Sequence, residues 1–300
     1  MCDGARGVDH GGAVLIDGLW RPFAENGFLL NALLAGILVS VLCACAGTFV
    51  VLRGLAFVGD ALAHGVLPGV AVAVLLGVPS LAGAALGAIV MMGGVGVVQR
   101  RTRLSADTAV GLLFVGMLGL GVIITSRSTS FRGDLTALLF GEILGVRTVQ
   151  LWWLAAAAVA VVAATSLLRR PFLLLVIDPD LAQTSGFRAA RFNNLMMALI
   201  GAVVIASFRT VGTLLVFGML VAPAATAALL TRRLASMMLT ASMVGSASTY
   251  VGLLVSYHHD LAAGATVVVT AVAFFVVALV ARGGSSGFVS AHPSHAGHGH

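Results

Sequence analysis

Apolar stretch follows apolar stretch along this chain, and most are about as long as a bilayer is thick. Between polar breaks the runs cover 28–52, 57–76, 80–99, 105–126, 151–168, 192–208, 211–231, 235–257 and 262–281. A helix needs about 20 consecutive apolar residues to cross a bilayer. The runs are continuous rather than alternating, which argues against a transmembrane β-barrel. The reading is an all-α, polytopic transmembrane helical bundle of eight or nine spans, a multi-pass protein of the cell membrane. Composition agrees: 59% of the 300 residues are hydrophobic and 9% charged, with a mean hydropathy of +1.07. A soluble domain carries roughly a quarter of its residues as charges. The stretch LTALLFGEILGV at 135–146 is too short to cross alone and reads as an interfacial or re-entrant helix. For Glu142, within it, an interfacial and a pathway-facing position both stay open.

The net charge of +6 comes from arginine alone, since the chain has no lysine. In a membrane protein a basic excess sets topology before it suggests nucleic acid, and none is expected as a partner. A phosphate-cradling P-loop needs a lysine, so any ATP used must be hydrolysed by another chain. The strongest clusters are Arg100, Arg101 and Arg103, then Arg169, Arg170, Arg188 and Arg191, then Arg232 and Arg233. Placing all of them in the cytoplasm puts the N-terminus outside and the C-terminus inside, with Arg282 inside. Arg127, Arg132 and Arg209 then fall outside, so the rule is obeyed imperfectly.

Three segments follow. Residues 1–26 are polar and Gly-rich, lack the basic start and apolar core of a cleavable signal peptide, and read as a disordered lead-in. Residues 27–282 form the transmembrane domain. Residues 283–300 form a disordered cytoplasmic tail whose His292, His295, His298 and His300 either bind zinc or nickel weakly or have no specific role. The cysteines, Cys2, Cys43 and Cys45, make no disulfide framework or metal quartet.

The loop at 169–191 contains DPDLAQTSG, residues 178–186. Asp178 suits an N-cap, Pro179 the first helical position, Asp180 the positive end of the dipole, and Gly186 a left-handed terminator. The sequence thus writes a short capped helix on the cytoplasmic side. It serves either as a plain connection or as a docking helix for a cytoplasmic partner.

FVGDALAHGVLPG, residues 57–69, carries the chemistry. A charge at the centre of a membrane helix costs at least ~2.5 kcal/mol, so such residues face a partner or a pathway. Asp60 and His64 are four apart and share a helix face. A carboxylate and an imidazole there make half of a first-row metal site, which a symmetric dimer would complete to two Asp and two His. The alternative is a hydrogen-bonded pair that locks two helices together. Pro68 leaves the His64 carbonyl without its helical donor, freeing it to bend the helix or line a pore. A second group, His258, His259 and Asp260, lies at the outer end of the span 235–257; it reads as a polar loop cap or as a point where cations are first captured. Gly212 and Pro223 in VGTLLVFGMLVAPAATAALL point to a close-packed, locally broken helix.

With these residues in hand, the chain resembles the membrane-spanning permease subunits of ATP-binding-cassette importers for zinc, manganese and related metals. The matching stretches are GDALAHGVLPGVA at 59–71, LLFGEILGV at 138–146, DPDLAQTSG at 178–186, VGTLLVFGMLVAPAATA at 211–227 and DLAAGATVVV at 260–269. They run in the family's order across most of 28–281. The resemblance implies a homodimer driven by two copies of a cytoplasmic ATPase and supplied by an extracytoplasmic metal-binding protein. It implies that Asp60 and His64 form the gate and metal-coordinating pair. It also implies that 178–186, with Asp178, Pro179, Asp180, Leu181, Ala182 and Gly186, is the coupling helix. The expected function is alternating-access import of a divalent metal, Zn2+ or Mn2+, as cargo, with no permanently bound cofactor. The His-rich tail tilts the choice toward zinc. The polar N-terminus and that tail depart from the family's core pattern.

Two rival classes compete with this reading. An ion-coupled secondary metal transporter would also want Asp60 and His64 but no ATPase; the capped cytoplasmic helix argues against it. An intramembrane protease would need HExxH or a serine paired with a buried base. The chain has no HExxH, and His64, expected to be the one well-buried histidine, has no evident serine partner.

Overall fold

A computed structural model of the chain describes residues 22–102, 106–126, 143–177 and 189–283. After a helical turn at 22–25, nine longer α-helices lie in these segments: α1 Gly27–Leu52, α2 Ala56–Leu75, α3 Ser80–Arg101, α4 Ala106–Ser126, α5 Thr148–Leu167, α6 Arg169–Ile177, α7 Ala189–Leu230, α8 Leu234–His259 and α9 Ala263–Gly283. A 3-10 turn at Ile143–Gly145 precedes α5, and the described residues contain no strand. Helices are what a lipid-embedded chain must form, because each satisfies its own backbone hydrogen bonds.

Seven stretches among the described residues are long and apolar enough to cross a membrane. They lie in α1, α3, α5, α8 and α9, with two in α7, Arg191–Phe208 and Thr210–Leu230. α2 and α4 carry shorter apolar stretches, His64–Leu75 and Thr108–Ile124. Each run picked out in the sequence coincides with a helix or, for the two runs 192–208 and 211–231, with one half of α7. The short segment 135–146 is described only from Ile143 onward, and Glu142 and the stretch 178–186 lie outside the described residues.

α1 is the central helix. Of its apolar stretch 61% is buried within the protein, against 22% for α9. It packs on α5, α7 and α8. The contacts are made by small residues that let backbones approach, as membrane helices require. Gly36 lies on Thr249 of α8, and Gly47 lies against the Leu220 carbonyl of α7. Tight turns hold α2 on either side. After α1, Gly54 (φ 65°) donates to the Val51 carbonyl and Leu55 to the Val50 carbonyl; after α2, Gly77 (φ 68°) donates to Val74 and Val78 to Ala73. Both are Schellman ends, whose left-handed residue is glycine because a Cβ would be strained there.

α7 is hydrogen-bonded from Ala189 to Leu230 but broken at Gly212, where φ is 75° and ψ 169°. Only glycine adopts that region readily. The break therefore falls at the glycine of the expected Gly212/Pro223 pair, while Pro223 sits inside the second half. Proline removes one hydrogen bond but keeps a helical φ; glycine permits a change of direction. α2 likewise runs through Pro68 without a break.

α6 is docked by Phe172, which is fully buried with its ring edge-on to Phe49 of α1, centroids 5.2 Å apart. Nearby, Arg53, just past α1, donates to the Asn193 side-chain carbonyl at the start of α7 at 2.5 Å. The ends of α1, α6 and α7 are thus tied together on the arginine-rich side, where α6 stops at Ile177 and α7 starts at Ala189.

Candidate metal pathway around His64

α2 sits between three helices, and glycine sets the distance to two of them. Gly65 and Gly69 of α2 face Gly83 and Gly87 of α3 in antiparallel order. A Cβ on Gly87 would lie 2.7 Å from the Gly65 carbonyl oxygen, and one on Gly69 would run into the Gly83 carbonyl. On another side Gly59 admits Leu220 of α7, whose Cδ2 would be 2.5 Å from an added Cβ. These two small-xxx-small pairs clamp α2 on α3 and fix its rotation.

That rotation turns His64 and Pro68 toward α4. The His64 ring stands edge-on to Phe114, with centroids 5.3 Å apart and planes at 84°. One turn further on, Pro68 is buried beside Gly121, where an added Cβ would be 3.5 Å from the proline Cγ. His64 itself is partly buried, not well buried as expected from its place in an apolar run. A small-residue helix keeps its neighbours close on one side and leaves the imidazole partly accessible on another. Asp60 lies on α2 one turn before His64, and its side chain is outside the described residues. Phe114 has no signature in the sequence, because an aromatic in an apolar run is unremarked until rotation is known.

The outer group ends α8. Asp260 adopts a left-handed conformation (φ 49°), and Leu261 N–H closes onto the Ser256 carbonyl at 3.2 Å. His258 Nδ1 lies 2.8 Å from the Leu254 carbonyl, and His258, His259 and Asp260 are all exposed. Histidines suit the negative end of a helix dipole. Cys43 and Cys45 are free and buried within α1, and Cys2 lies outside the described residues. Among the described residues no three His, Cys, Asp or Glu side chains come together. The tail histidines 292, 295, 298 and 300 and the stretch 178–186 lie outside the described residues.

A bundle of helices long and apolar enough to cross a membrane defines a multi-pass membrane protein. The profile of the ABC 3 transport family matches residues 25–282, and the chain belongs to that family. It is 37% identical over 252 residues to the manganese transport system membrane protein MntC of Halalkalibacterium halodurans, covering 84% of this chain and 86% of that one. It is 36% identical over 264 residues to the manganese import system permease protein ScaB of Streptococcus parasanguinis, covering 88% and 92%. The chelated iron transport system membrane protein YfeD of Yersinia pestis is 34% identical over 260 residues, covering 87% of each. Among solved structures, PsaBC from Streptococcus pneumoniae in complex with Fab superposes with a TM-score of 0.78 at 32% identity, covering 89% of this chain and 95% of that chain.

Proposed function

We propose that this chain is the permease subunit of an ATP-driven importer of divalent transition-metal ions. It works as a homodimer with a cytoplasmic ATPase and an extracytoplasmic metal-binding protein. Manganese or iron(II) is the preferred cargo: the relatives' names support these two, whereas the tilt toward zinc rested on the tail. Nine crossings, counting α2, α4 and both halves of α7, place the N-terminus outside and the arginine-rich ends inside. Asp60 and His64 supply the carboxylate oxygen and imidazole nitrogen of the gate. A metal there needs more ligands than one copy's His64, and a second copy across the dimer axis doubles the set. The observation that carries this reading is the clamped, partly accessible imidazole on α2, one turn after Asp60, in a chain of this family.

The stretch 178–186 is proposed as the coupling helix. Its support is position: it lies between α6 and α7, whose ends are tied to α1 through Phe172–Phe49 and Arg53–Asn193. A push on it is thereby delivered to the central helix. His258, His259 and Asp260 stand at the opposite end, where incoming cations meet the protein.

The test is uptake of radiolabelled manganese, iron(II) and zinc by cells lacking their own importers and carrying this chain with its ATPase and binding protein. Manganese or iron uptake that vanishes when the ATPase is omitted is expected. Uptake that persists without the ATPase would overturn the reading in favour of an ion-coupled carrier.

A further inference from the structure

A cavity of about 440 Å³ opens between α2, α3, α4 and α7 on the arginine-rich side of the bundle. Its size falls within the ~300–1,000 Å³ of small-molecule pockets. Among the described residues Leu62, Met91, Met92, Val97 and Met197 line it, and the polar side chains among them are Asn193 and Asn194. Two of its lining residues, Ile89 and Val97, are exposed on the outside of the single chain.

Among the described side chains, the charged ones flanking the cavity in the chain are arginines. Arg53 is partly buried and donates to Asn193, a neutral amide that itself lines the cavity. Among the described residues no carboxylate pairs with Arg53. Burial lowers its guanidinium below the ordinary arginine value. Arg101 ends α3 one turn beyond Val97, and Arg191 precedes Asn193 by two residues; both are exposed.

We infer that this cavity binds an anionic phospholipid, with one acyl chain between α2, α3 and α7 and the headgroup phosphate against Arg53, Arg101 and Arg191. Basic pockets between membrane helices hold such headgroups by charge, and guanidinium matches phosphate in geometry. The assignment to the cytoplasmic leaflet rests on the topology proposed above; the site itself does not depend on the cargo.

The test is native mass spectrometry of the purified, delipidated full chain titrated with phosphatidylglycerol or phosphatidylcholine. Two variants separate head from tail. Arg53→Gln removes the charge. Gly93→Leu fills the cavity from a position where an added Cβ meets nothing within 4 Å, so it introduces no backbone clash. The unsubstituted chain is expected to retain phosphatidylglycerol over phosphatidylcholine. Arg53→Gln should weaken phosphatidylglycerol retention roughly fivefold, the worth of one basic residue at an anionic headgroup. Gly93→Leu should displace both lipids. Equal retention of the two lipids by the unsubstituted chain would overturn the proposal without any variant. So would phosphatidylglycerol retention unchanged in Arg53→Gln or in Gly93→Leu. Metal uptake enters none of these readouts, so this proposal and the transport reading fail separately.

Discussion

Single glycines decide how α2 sits, and the two kinds of glycine in this bundle make opposite predictions. Gly69 faces the Gly83 carbonyl across the α2–α3 contact, so any side chain there forces backbones apart. Overpacking of this kind costs about 1–3 kcal/mol. Gly93, on α3, faces open space, and replacing a mid-helix glycine by alanine gains up to ~1 kcal/mol. Gly69→Val is therefore expected to lower the thermal unfolding midpoint in detergent, and Gly93→Ala to hold or raise it. Equal effects of the two substitutions would contradict the close contact. Residues at this scale were only partly legible in the sequence. Asp60 and His64 stood out because charge is rare in an apolar run. Phe114 did not, since in lipid both the packed and the lipid-facing sides of a helix are apolar, and no pattern reports which way a ring points.

At the scale of elements, spans were the most legible feature, because bilayer thickness imposes a length that composition reveals. Their order of importance was not. α1 and α9 are both long apolar helices, yet one is central and the other peripheral. Hydrophobicity cannot separate them when lipid replaces water as the surrounding medium. The break in α7 was legible as a pair of candidates, and backbone stereochemistry chose Gly212 over Pro223. Gly212→Ala places a Cβ in a conformation that non-glycine residues occupy at a cost of order 1–3 kcal/mol. The expected outcome is a destabilised permease with reduced uptake, whereas Pro223→Ala, which restores a hydrogen bond, is tolerated. Thermal melting and uptake measured on the same preparations check this; a tolerated Gly212→Ala would mean the break is incidental to transport.

At the scale of the whole molecule, the parts form a chain of contacts from the arginine-rich face to the middle of the bundle. α6 and α7 flank the proposed coupling stretch, Phe172 and Asn193 pass their positions to α1, and α7 reaches α2 through Leu220 and Gly59. α2 carries Asp60 and His64. A displacement at one end can thereby reach the proposed gate without unfolding any helix. This route was invisible in the sequence, because it depends on contacts between residues far apart along the chain. The measurement that tests the central claim most directly is ATP-driven manganese uptake into proteoliposomes holding the permease with its ATPase and binding protein. It compares the unsubstituted chain with Asp60→Ala and His64→Ala, each first shown to assemble with the ATPase. The account predicts uptake by the unsubstituted complex and its loss in both variants with assembly intact. Undiminished uptake in both variants would contradict it and remove Asp60 and His64 from the pathway.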